Sequence, residues 1–182
     1  MTIGGVQYPQ NIHSLWLEAE LNDIGIYTVV YDNTNKKDKE WYINTNQTLT
    51  FAGGVVTESY GIATGKAIED TTWTQQDSDD GLMPNDKSIG DIKTRGLKYN
   101  KKELIDRQCE GLLQKYDWYI IRNTEAGTAI PSSITDYRTA VRTKCNSMQS
   151  QIDGAADIDA LAALFTYTIT DGVQSRPLGK FP

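Results

Sequence analysis

The chain has 182 residues, a formal net charge of −6, and an apolar fraction of 38%. That length suits one domain or two small ones with a modest core, and the acidic balance argues against nucleic acid, whose phosphates draw on clustered Lys and Arg. One histidine and two cysteines exclude multi-histidine metal centres and a disulfide framework.

From the N-terminus, residues 3–9 (IGGVQYP) read as a short strand stopped by Pro9, which has no N–H to give a ladder. Residues 14–25 read as a helix: Ser14 caps it, Glu18 and Glu20 suit the positive end of its dipole, and Gly25 stops it. Leu17, Leu21 and Ile24 are its expected buried face. The run 26–31 (IYTVVY) is β-branched and aromatic and predicts a strand. After a polar loop at 32–39, the segments around Trp41–Ile43 and Leu49–Phe51 predict return strands, with Gly53-Gly54 as the next turn. Val55 to Ala67 adds a further strand. Residues 1–69 are thus expected to form a β-rich meander with one short helix.

Residues 70–99 change character. The stretch 71–81 (TTWTQQDSDDG) has almost no aliphatic side chains and predicts a loop-rich connector ordered by a partner through Trp73. Its acids at Asp77, Asp79 and Asp80 fail as a calcium loop, because Gly81 comes one place early and Ser88 stands where a bidentate Glu is needed.

Residues 100–182 form the third part. Asn100 with Glu103 fits a capping box, and Ile105, Cys109, Leu112 and Tyr116 make one helical stripe. Ser133 with Asp136 repeats the device before a longer stripe of Ile134, Tyr137, Val141, Cys145, Met148 and Ile152, closed by Gly154. Between the helices, Asp117-Trp118 is read as a short aromatic strand or turn, followed by a Gly/Pro loop. Asp157 opens a third short helix, and TYTIT predicts a strand before an irregular tail. The fold class is α+β, with an N-terminal β-rich module (1–69), a polar connector (70–99) and a C-terminal helical hairpin with a third helix (100–182).

Catalytic and cofactor signatures are missing. His13 sits beside a helix start with no nucleophile pattern around it, and neither Gly4-Gly5 nor Gly53-Gly54 is followed by the Gly-Lys-Ser/Thr of a phosphate loop. No run is long and apolar enough for a membrane span. No enzyme, cofactor, metal, nucleic-acid or membrane role is expected. Cys109 and Cys145 each fall on an apolar stripe, as small core residues or as a pair across the hairpin.

Within 112–142, Leu112-Leu113, Asp117-Trp118, Ile130-Pro131, Tyr137-Arg138 and Val141-Arg142 stand in the order LL…DW…P…YR…R. This order and spacing resembles that of the bacteriophage tail-fibre assembly proteins and related phage tail proteins. The N-terminal phrase GVQYP…LW…ELNDIGIYTVVYD is similar to segments of phage tail-fibre-associated proteins. The resemblance implies a virion tail protein made in the host cytoplasm, either an adaptor or fibre-associated subunit held in the particle or a chaperone that leaves the fibre after folding. Family members commonly stop soon after the second helix with a Trp-Pro ending, whereas this chain runs on to Phe181-Pro182, which favours the structural subunit. Other tail or fibre proteins, and copies of the same chain, are the candidate partners. The expected contact residues are Trp73, Trp118, Tyr119, Arg138, Arg142 and Phe181, aromatics and arginines of the kind that anchor interfaces.

Overall fold

The computed structural model describes residues 1–182 and divides into two compact units, Met1–Gly65 and Lys66–Pro182. The architecture is α+β, with seven helices and several small sheets.

In the first unit, β1 (Thr2–Ile3) and β2 (Val6–Gln7) form a small antiparallel hairpin around Gly4-Gly5. The single helix expected over 14–25 is two short ones, α1 (Ile12–Leu15) and α2 (Glu18–Asp23). Glu20 reaches back to the Leu17 N–H at 2.8 Å, which starts α2 afresh after the break at Trp16-Leu17. The expected buried face fails with it: Leu17 is exposed, Leu21 and Ile24 are half-buried, and Ile12 is the fully buried residue.

The strands β3 (Val29–Tyr31), β4 (Tyr42–Ile43), β5 (Thr48–Ala52), β6 (Val55–Ser59) and β7 (Thr64–Gly65) do not make a meander. One sheet has the order β3-β6-β5, with β3 parallel to β6, and β4 pairs separately with β7. The reason lies in the polar segment between β3 and β4. Asn44 bonds both the N–H and the C=O of Lys37 at 2.8 Å, and the Asp38 carboxylate takes the Glu40 N–H at 2.8 Å. Side chains thus satisfy that backbone without a ladder, and β4 is carried away from β3. At the β5–β6 turn the φ angles of Gly53 and Gly54 are +59° and +80°, as a two-residue hairpin requires.

The second unit holds most of the core. A hairpin of β8 (Thr71–Thr72) and β9 (Ile92–Thr94) carries the five-residue α3 (Gln75–Asp79), and then come α4 (Leu97–Gln114), α5 (Asp117–Ala126), α6 (Ser132–Asp153) and α7 (Ile158–Phe165). The chain closes with an antiparallel pair, β10 (Thr168–Thr170) and β11 (Val173–Ser175), where a lone strand was expected. α4 packs on α6 along the predicted stripes: Ile105, Val141, Met148 and Ile152 are fully buried, and Cys109 and Cys145 are nearly so. Leu161 of α7 and Leu178 of the tail complete this core.

Residues 70–99 are part of this unit and not a loose connector. Their polar side chains satisfy one another. Thr74 and Asp77 cap α3 reciprocally, and Lys93 pairs with Asp77. Asp70 accepts the Gly96 N–H at 2.7 Å and an Arg95 N–H at 2.6 Å. The start of α4 also differs from the expected one. It begins at Leu97, three residues before Asn100, because the Leu97 and Lys98 N–H groups donate to the carbonyls of Ala67 and Ile68 at 3.0 and 2.9 Å. With those orphan donors met by backbone, the Asn100 cap is not needed.

Candidate interaction site

Asp117-Trp118 opens a ten-residue helix, α5, and not a strand or turn. The Asp117 carboxylate suits a first helical turn, and Gly127, with a φ of +64°, ends the helix in the left-handed conformation while donating its N–H to Asn123. α5 buries none of its residues. Trp118 and Ile121, three apart and so on one side of the helix, are 49% and 56% exposed.

Below this face the chain is tightly held. Arg138 on α6 is only 7% exposed and donates from Nη1 to the Leu113 carbonyl at 2.7 Å and to Asp117 Oδ1 at 2.8 Å. One guanidinium therefore ties the end of α4, the start of α5 and the body of α6 together. Beside it, Tyr116 meets Tyr137 edge-on at 5.3 Å between centroids. Trp118 and Tyr119 lie 3.9 Å apart, and Arg122 stacks over both, 4.6 Å from the indole and 5.4 Å from the phenol ring. Its Nε is buried without a hydrogen-bond partner. Behind α5, Ile120, Ile130, Thr135, Thr139 and Arg142 surround a concavity of about 200 Å³ with Arg138 in its wall.

The six expected contact residues thus separate. Trp118 and Tyr119 stack on α5 and Arg142 lines the concavity behind it, each with accessible surface. Arg138 belongs to the support and not to the surface, since its charge is spent on Leu113 and Asp117. Trp73 is half-buried in the β8–β9 hairpin, with the Lys93 ammonium 4.6 Å from its ring centroid. Phe181 is half-buried in a tail that docks on its own unit. There Leu178 is fully buried and donates its N–H to Leu164 at 3.1 Å, and Gly179 lies against the end of the Lys144 side chain. The irregular tail is thus held by its own unit. Ile121 and Arg122 are the residues that sequence reasoning passed over. Their signal was present, since positions 118, 121, 122 and 125 share a side once the segment is given helical period.

No cluster of His, Cys, Asp or Glu could hold a metal ion, and no helix is long and apolar enough to cross a membrane. Comparisons with protein-family models, with curated proteins and with solved structures return no match.

Proposed function

We propose that this chain is a non-enzymatic component of a bacteriophage tail, an adaptor or fibre-associated subunit that binds other tail proteins in the virion. The observation that carries this reading is the uncovered apolar side of α5, an aromatic and aliphatic surface set on a support built around Arg138. Trp, Tyr and Arg on a rigid element are the residue types that anchor protein interfaces, and the buried guanidinium limits the ordering entropy lost on binding. The segment in question is also the one whose letters resemble tail-fibre assembly proteins. That resemblance favours a second reading, a chaperone that uses the same α5 surface on a folding fibre and then leaves.

Quantitative mass spectrometry of gradient-purified particles from the phage that encodes the chain separates the two. The structural reading predicts the protein in fixed ratio to known tail proteins. Its presence in the lysate but not in particles would transfer the α5 surface to the chaperone role.

A further inference from the structure

The concavity behind α5 is lined on one side by Thr135, Arg138, Thr139 and Arg142, which share one side of α6. Ile120 and Ile130 form the rest of its wall, and no carboxylate lines it. Arg138 is committed to Leu113 and Asp117. Arg142 is not. It is exposed and makes no ion pair or side-chain hydrogen bond within the chain. Its neighbours one turn away on α6 are Arg138, Thr139, Cys145 and Asn146, so no acid stands where a helical pair would form.

The two threonines are unengaged as well. Elsewhere in this unit the Thr124 and Thr166 hydroxyls turn back to the Ile120 and Ala162 carbonyls, both at 3.0 Å. Those of Thr135 and Thr139 make no such bond and remain free to donate into the concavity.

Size and charge select the occupant. Drug-sized ligands and cofactors fill roughly 300–1,000 Å³, so about 200 Å³ holds a single side chain and not a cofactor. Asp117 balances Arg138, which leaves Arg142 as one uncompensated positive charge in a chain of net charge −6. A monoanion matches that charge. A phosphate, with its second pKa of about 6, brings closer to two negative charges at neutral pH. The isoleucine wall suits the methylenes of an acidic side chain better than a bare ion.

We propose that this concavity is a carboxylate-binding site, occupied by an acidic side chain of a partner protein. The Arg142 guanidinium grips the carboxylate through two parallel N–H donors, and the Thr135 and Thr139 hydroxyls add to it. Trp118 and Ile121 do not line the site, so its failure leaves the role given to the outer side of α5 untouched, and the converse.

Nuclear magnetic resonance of the full chain at constant ionic strength tests it, with acetyl-Gly-Glu-Gly-amide as the probe. The Arg142 Nε–H and the Thr139 amide should shift saturably with this peptide and not with its Gln counterpart. Arg142→Gln should weaken binding by about tenfold or more, the worth of one charge-assisted hydrogen bond. No saturable shift at these groups in the wild type, or equal shifts with the Gln peptide, would overturn the proposal. So would a folded Arg142→Gln that binds like the parent. Inorganic phosphate that saturates the same signals at lower concentration than the Glu peptide would show a phosphate site instead and overturn the assignment to a carboxylate.

Discussion

Arg138 and Asp117 are joined at 2.8 Å between the body of α6 and the first turn of α5, with the arginine buried and the aspartate half-exposed. The asymmetry sets their different worth. Arg138→Met strands the Leu113 carbonyl and frees α5 from α6, which should cost about 2–3 kcal/mol. Asp117→Asn keeps a hydrogen-bond acceptor at a wet position and should cost under about 1 kcal/mol. Urea unfolding of both variants gives the comparison, and equal losses would contradict the support role of Arg138.

Gly96 marks the second place where the fold allows no freedom. A Cβ there would collide with the Glu69 backbone carbonyl, although its φ of −76° suits any residue. Gly96→Ala should therefore destabilise by about 3 kcal/mol through collision alone. Gly111→Ala in the same helix meets nothing within 4 Å and should stabilise by about 0.5–1 kcal/mol. The opposite signs, read by thermal melting, are the check.

Much of the second unit was legible in the sequence. The α6 stripe needed only the spacing of Val141, Cys145, Met148 and Ile152, and the Asp157 cap was plain. Other features were written in the sequence but passed over: Asp171-Gly172, both at positive φ, is a hairpin signal that the reading of a lone strand missed. Others could not be read at all. The parallel pairing of β3 with β6 depends on side-chain bonds by Asn44 and Asp38 whose partners lie up to seven residues away. Composition also misled at 70–99, because a segment poor in aliphatic residues can still be ordered by a network of Asp70, Asp77, Lys93 and Arg95. For the candidate site, Trp118 and Tyr119 were legible, whereas the burial of Arg138 was not, since an arginine's partners are set by tertiary packing.

That network should show in acid. The Lys93 ammonium, then the Thr74 hydroxyl and N–H, hold Asp77 at about 2, below the usual carboxylate value of 3.8. The Gly96 N–H and then Arg95 lower Asp70 in the same direction. Both groups are depressed in the folded state, so their stabilisation is complete above the unfolded value. It is lost as pH falls from about 3.8 towards about 2. Asp70→Asn with Asp77→Asn should flatten the pH dependence of urea stability over that window. An unchanged slope would remove the network from the account.

The two cysteines face one another between α4 and α6 as free thiols. Burial first, then the Cys109 thiol and the Asp106 carboxylate, push the Cys145 thiol up to about 12. The thiol is therefore held in its protonated form under ordinary conditions. Alkylation of Cys145 in the native protein should follow global unfolding and slow with every stabilising variant. Fast labelling under native conditions would show that α4 and α6 part locally.

We propose that the uncovered side of α5 holds this chain in a phage tail. Incorporation of a Trp118→Asp, Ile121→Asp double variant into particles tests it most directly, because both residues are exposed and the fold should melt within about 1 kcal/mol of the parent. The account predicts that wild-type protein co-purifies with tails and that the folded double variant stays in the soluble lysate. Incorporation of the double variant at the wild-type ratio would contradict it.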